Sequence, residues 1–162
     1  MKDLGPALPS ELLSALSQAD LPARLGRALP LITVDAEGRP HPMLCSYLEL
    51  LAVDAGTIRV VIGAGSGSAR NLEARRAATL LIVEPERTVY VKCRAAAGAP
   101  ATEGVLARFT LRVEAVLEDA AAEWEGGVRI TGGITYAPAP ALDTPEARVT
   151  HRLLHLDLPA AR

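Results

Sequence analysis

At 162 residues, with 49 % hydrophobic and 22 % charged, the chain has the make-up of one globular unit rather than of a disordered segment. A formal net charge of -2 argues against a nucleic-acid-binding protein, whose usual footprint is a basic face, and an aromatic share of 3 % requires an aliphatic core. The opening run Met1-Lys-Asp-Leu-Gly-Pro6 holds no apolar signal core and no apolar run approaches membrane-spanning length, so a cytoplasmic protein with no membrane partner is expected.

In chain order, Ser10 stands before Glu11-Leu12-Leu13 as a helix N-cap, and Leu12, Leu13 and Leu16 share one helical face. Pro22 and Pro30 limit the next segment to a second short helix between Pro22 and Ala28. From Leu31 the period changes. Leu31 to Val34 is a short β-branched strand, Asp35-Ala-Glu-Gly38 is a turn, and Pro40 and Pro42 suit a strand start or a sheet edge, where a missing N–H costs nothing. Met43 to Val53 is the next strand, Asp54-Ala-Gly56 a hairpin turn, and Thr57 to Ile62 a third strand.

That third strand runs into Gly63-Ala-Gly-Ser-Gly-Ser-Ala-Arg70-Asn71-Leu72. Small residues there let backbone N–H groups approach an anion, and the helix N-terminus behind them adds partial positive charge. Ser66 or Ser68 caps this helix, which spans about two turns to Arg76. Arg70 is a candidate anion contact, whereas Arg75 and Arg76 read as a solvated helix face.

Thr79 to Glu84 is an apolar strand that pairs with Thr88 to Ala95 across Glu84-Pro-Glu-Arg87, and Ala95 to Pro100 is a flexible connection. Val105 to Glu118 alternates, with Phe109, Leu111, Val113, Ala115 and Leu117 on one side and Thr110, Arg112 and Glu114 on the other, as in a half-buried antiparallel sheet. Next come an Ala-rich helix from Asp119 to Glu125 and a strand from Val128 to Tyr136, bent at Gly132-Gly133. After a loop marked by Pro138, Pro140 and Pro145, Asp143 or Thr144 caps a short helix, and a last strand carries Leu154, Leu156 and Leu158. Six or seven strands joined mainly as hairpins, with two or three short helices, predict a mainly β protein built as an antiparallel barrel. One domain is expected over residues 1–162, with a helical N-terminal segment to residue 28 and a peripheral segment from residue 137.

Other chemistries fit less well. Gly63-x-Gly65-x-x-Ser68 approaches a dinucleotide fingerprint, with Glu84 at the distance of a ribose-binding acid, yet tight turns cannot join parallel strands and the helix is short for a crossover. No Gly-Lys-Ser/Thr comes after the loop, which excludes a Walker A motif. Ser66 lacks the flanking glycines of a hydrolase elbow. His151 and His155, four apart, lack the glutamate of HExxH and a third ligand, and read as partly exposed histidines rather than a metal site. His41, between two prolines, can approach a ligand but has no evident partner. Cys45 and Cys93, without a CxxC spacing, read as buried free thiols.

The run Leu31-Ile-Thr-Val-Asp-Ala-Glu-Gly-Arg-Pro-His-Pro-Met-Leu-Cys-Ser-Tyr47, with the Arg70-Asn-Leu72 helix later and an apolar strand after it, resembles the pyridoxamine 5'-phosphate oxidase-like FMN-binding split barrels. The resemblance is good over residues 28–95 and extends in weaker form to residue 136. It implies a six-stranded antiparallel split β-barrel, a homodimer, and FMN as cofactor. Carried over by position, the flavin ring lies against Met43–Tyr47 and Thr57–Gly63, lined by Ser46 and Ile62, and the phosphate sits at the loop Ser66–Asn71, faced by Ser66, Ser68 and Arg70. Asn71 is either a ligand contact or a structural helix residue. The chain departs from the family where the usual phosphate-binding lysine falls near Ser68, a loss worth about 1.5–3 kcal/mol of binding. The C-terminal end also lacks the Arg- and Trp-rich run of true pyridoxamine phosphate oxidases, so vitamin B6 oxidation is not implied. Two functions are compatible with this pattern. One is a flavin-dependent oxidoreductase or flavin reductase-like protein, in which FMN takes the hydride and no side-chain acid or base is required. The other is a non-catalytic barrel that has lost FMN and holds another small ligand, such as deazaflavin or haem.

Overall fold

The computed structural model describes residues 1–158. Among them, one antiparallel sheet contains β1 (Lys2–Gly5), β2 (Ala28–Val34), β3 (Pro40–Ser46), β4 (Leu50–Asp54), β5 (Thr57–Gly63), β6 (Ala77–Glu84), β7 (Arg87–Ala95), β8 (Ala101–Glu103) and β9 (Leu106–Ala120). Four α-helices among the same residues accompany it: α1 (Ser10–Leu16), α2 (Leu21–Arg24), α3 (Gly67–Ala74) and α4 (Pro145–His155). The strand order is β3-β2-β6-β7-β9-β5-β4, with β1 and β8 also paired to β9. The sheet curls round an aliphatic core that includes Leu31, Leu50, Ile58, Leu80, Ile82 and Leu111, all buried. Each such side chain contributes roughly 1.5–3 kcal/mol on burial. The mainly β antiparallel barrel expected from the sequence is therefore present as a curled half-barrel, with nine strands among the described residues rather than the six or seven expected, and the described strands form no parallel dinucleotide-binding sheet.

Helices close the ends of the curl. Leu12 and Leu16 of α1 and Ala69 and Leu72 of α3 enter the main core. On the other face of the sheet, α4 buries Leu153 and Leu154 against Leu51 and Val61, forming a second, smaller core.

Several local expectations are corrected. Met43 to Val53 is not one strand, because a single 3-10 turn at Tyr47–Glu49 separates β3 from β4. These two strands are the opposite ends of the strand order, and the turn carries the chain across the open side between them. Alternation along β9 holds only to Val113. Lys92 faces Ala115 whereas Cys93 faces Val113, so Glu114 is the extra residue of a bulge and Val116, not Ala115, becomes fully buried. The Ala-rich run after Asp119 is no α-helix. Asp119 and Ala120 pair with Thr88 and Arg87, so the ladder overrides helix propensity, and one 3-10 turn at Glu123–Glu125 comes next.

Val128 to Tyr136 forms no strand. It crosses the end of the barrel with one bridge, Arg27 to Thr135, and isolated bonds such as Glu86 N–H to the Ile130 carbonyl (2.8 Å). A Cβ at Gly133 would stand 3.0 Å from the Val83 side chain, so the glycine permits this close crossing. The N-terminal segment is not wholly helical, since Lys2–Gly5 adds a strand to β9. At the C-terminal end Thr144 caps α4 by accepting from Ala147 N–H (3.1 Å). Leu154 belongs to that helix, not to the strand expected there, and residues 159–162 lie outside the described region.

Candidate functional site

The loop after β5 is ordered by its own serine. Ser66 is the N-cap of α3: its hydroxyl accepts from Ala69 N–H (3.1 Å), while its own N–H donates to the Gly63 carbonyl (3.0 Å). The next residues start the helix, whose first N–H groups lack intrahelical acceptors. Ser68 is only 1 % exposed, so its side chain is packed inward rather than presented to solvent. Arg70 is exposed and folds back to donate to the Gly65 carbonyl (2.8 Å).

His41 joins this loop. A Cβ on Gly67 would stand 3.0 Å from His41 Nε2 and 3.9 Å from Arg70 Nη2, so an imidazole and a guanidinium flank the first residue of α3. A side chain at this position would require the His41 ring to give way. The sequence named His41 without a partner; its partner is this loop, distant in the chain.

Asn71 is a structural tie in this arrangement. Its Nδ2 donates to Thr33 Oγ1 (2.9 Å), and Thr33 Oγ1 donates to the His41 carbonyl (3.2 Å), linking α3 to β2 and β3. Ile62 is buried in the main core, so its side chain faces the barrel interior. Ser46 is also buried, at the far end of β3 from His41, roughly 17 Å away by strand rise. The structure thus gathers Gly63, Ser66, Ser68 and Arg70 about the start of α3, with Asn71 bracing them; Ile62 adjoins Gly63 but turns its side chain into the core, and Ser46 lies apart.

Ser46 borders an open groove of about 380 Å³ between the 3-10 turn, the start of β9 and α4, with Leu44, Glu49, Leu106 and Tyr136 in its walls. Burial raises the Glu49 carboxyl above its ordinary value, although Ser46 hydrogen bonds pull the other way. Arg75 is exposed, as expected of a solvated face, and donates to the Ala36 carbonyl, whereas Arg76 is half-buried and donates to the Ala95 carbonyl (2.8 Å).

No family model matches the chain, and no curated protein matches it either. Solved structures do. An FMN-binding protein from Syntrophomonas wolfei subsp. wolfei is 12 % identical, with 70 % of this chain and 90 % of that one covered, at a TM-score of 0.53. A protein described as a candidate pyridoxamine 5'-phosphate oxidase from Lactobacillus delbrueckii is 18 % identical, with 72 % and 99 % covered, at a TM-score of 0.51. A heme binding protein from Mycobacterium smegmatis is 16 % identical, with 75 % and 57 % covered, at a TM-score of 0.50. The fold is the pyridoxamine 5'-phosphate oxidase-like split barrel.

On this split barrel the C-terminal helix is fastened by two arginines that sequence reading passed over. Arg59 Nη1 donates to the carbonyls of Leu154 and Leu156 (both 2.7 Å), and Arg108 Nη1 to those of Leu153 (3.1 Å) and Leu156 (3.0 Å). They satisfy the orphan carbonyls and the negative end of α4. The only available signal was an arginine within the otherwise largely apolar β5, while Arg108 was one of several polar residues in β9.

His151 and His155 stack with ring centroids 4.3 Å apart, and among the described residues no group of three His, Cys, Asp or Glu could hold a metal ion. Burial first, then His151 and Arg59, lower the His155 pKa below its ordinary 6.5. The unfolded chain therefore binds the proton more readily, and stability present above about pH 6.5 is lost as pH falls through the lowered value. Urea midpoints between about pH 7.5 and 5 should fall less in His155→Gln than in the wild type; parallel curves would remove His155 from the acid response.

Cys45 and Cys93 are buried free thiols, as expected. Burial raises both, Cys93 to about 12, which keeps them protonated and inert at neutral pH.

No helix among the described residues is long and apolar enough to cross a membrane.

Proposed function

We propose that this chain binds FMN and acts as a flavin-dependent oxidoreductase of the flavin reductase type. The observation that carries the reading is the convergence of His41 and Arg70 on the first residue of α3, directly after the Gly63–Ser68 loop. The phosphate would meet the first N–H groups of α3 and these two side chains, with His41 standing in for the lysine that Ser68 lacks. The Gly67 position fits such a cradle, since any side chain there would fill it. From that loop β3 leads to Ser46 and the groove beside it, room for a ring system at the other end of an elongated ligand. Bound FMN supplies hydride acceptance at its ring; this chain supplies binding, orientation and exclusion of water.

A second copy of the chain completes the proposal as a homodimer. Leu44 (44 % exposed) and Val105 (78 % exposed) leave apolar surface beside the groove and loop for it to cover. The free thiols suit a cytoplasmic location, and the net charge of -2 does not suit a nucleic-acid partner. Freshly purified protein is expected to show flavin absorbance bands, and Arg70→Ala to weaken FMN binding about tenfold or more in a fluorescence titration. Colourless protein with no spectral response to millimolar FMN would overturn the assignment. Sedimentation at micromolar concentration tests the dimer.

One observation favours a second reading. Arg70 is already bonded to the Gly65 carbonyl and Ser68 is packed away, so the cradle is poor in free charge. That favours a non-catalytic barrel holding a different ligand, deazaflavin or haem, and binding of either in preference to FMN would select it.

A further inference from the structure

The groove beside Ser46 has its own chemistry. Its walls are mostly apolar, with Leu44 and Leu106 on the strand side, and among the described residues the only charged side chains lining it are Glu49 and Glu146. On the other side of α4, a neighbouring groove has the opposite character, with Arg148, His151 and Arg152 and no acid in its described walls.

Glu49 is held in place by one oxygen only. Its Oε2 accepts from Ser46 N–H (2.6 Å) and from the Ser46 hydroxyl (3.0 Å). Oε1 takes no part in those bonds and is not sealed inside the protein, because the buried side-chain oxygen or nitrogen lacking a partner among the described residues is Arg108 Nε alone. Among the described residues Glu49 makes no ion pair, and burial raises its proton affinity. A carboxylate half-withdrawn from water without a counter-ion is costly, and an incoming cation removes that cost by pairing with it. Tyr136 adds an aromatic wall whose own hydroxyl titration is raised by burial and then by Glu49, placing the ring close to the same charge. An aromatic face is a further favourable surface for a cation.

The geometry points to a binding site for a small organic cation, an amine on an apolar body, whose nitrogen pairs with Glu49 Oε1 while its body lies against Leu44, Leu106 and Tyr136. The inference does not depend on flavin binding, since every group it uses belongs to the groove.

The test uses 2-phenylethylamine and its neutral counterpart 2-phenylethanol, titrated into the wild-type protein by calorimetry and followed by backbone NMR shifts. The amine is expected to bind at least tenfold more tightly than the alcohol, shifting the amides of Leu44, Glu49, Leu106 and Tyr136. Glu49→Gln should abolish the preference while keeping an acceptor for Ser46. Should that variant fail to fold, Glu146→Gln on the exposed rim decides, with an expected two- to threefold loss for the amine and none for the alcohol. Equal binding of amine and alcohol, no binding of the amine, shifts confined elsewhere, or undiminished preference in Glu49→Gln would each overturn the proposal. Because the proposed flavin ring reaches the same groove, the amine is titrated into flavin-free protein and FMN into amine-free protein: amine binding without FMN binding fails the flavin reading alone, and FMN binding without amine binding fails this one alone.

Discussion

Leu154→Ala is expected to loosen α4 from the barrel and to cost about 2–5 kcal/mol. Leu154 is completely buried, and the core under α4 has Leu51, Val61 and Leu153 as its other buried members among the described residues, with Ala101, Leu106, Val149 and Leu158 partly buried at its edge. So small a cluster cannot refill the space left by the missing methyl groups. Arg59 and Arg108 would still hold the last carbonyls of the helix, but four hydrogen bonds near the surface do not replace lost apolar burial. Hydrogen exchange of the α4 amides should accelerate well before the strands open, and the urea midpoint should fall. A variant with unchanged α4 protection would show that the helix is held by its arginine contacts instead. Because Ala147 and Thr150 of α4 line the Glu49 groove, the same variant should also weaken amine binding there.

Asn71→Ala should cost about 1–3 kcal/mol and weaken FMN binding as well. The amide reaches the completely buried Thr33 hydroxyl, which passes the contact on to the His41 carbonyl. Its loss strips a donor from a buried oxygen and frees α3 to shift against the strand that carries His41. The phosphate cradle would then lose its register without losing any residue that touches the ligand. Chemical denaturation measures the first effect and a flavin titration the second. Lower stability with unaltered affinity would separate the brace from the site.

The local grammar of this fold was readable. Apolar runs bounded by turns placed β5, β6 and β7, alternation placed the first half of β9, Asp35–Gly38 and Asp54–Gly56 announced their turns, and prolines suited β3 as a strand start or an edge. What escaped the sequence was set by partners far along the chain. The phase change at Glu114 exists because β7 holds a different register on either side of it. The extended course of Asp119 and Ala120 is dictated by Thr88 and Arg87, against the preference of an alanine run. The candidate site divides in the same way. The glycine-serine loop and a serine cap, Ser66 or Ser68, are local and were foreseen, whereas the choice of Ser66, the approach of His41 to Gly67 and the partner of Asn71 required strands β2 and β3 to be folded beneath α3. Glu49 escaped notice because it lay within what read as one uninterrupted strand; the 3-10 turn is what swings its carboxyl back onto Ser46.

The central place of β9 has a consequence for how the molecule comes into being. Four strands, β1, β5, β7 and β8, find their ladder partner in this one late segment, and Lys2 must wait for Glu118. During synthesis the earlier hairpins therefore stand with bare edges until most of the chain has left the ribosome, a long-range dependence that slows assembly and invites wrong pairings. A chain shortened before Leu106 would keep β5 and β7 but give them nothing to close on, so it is a nascent-chain hazard rather than a smaller working protein.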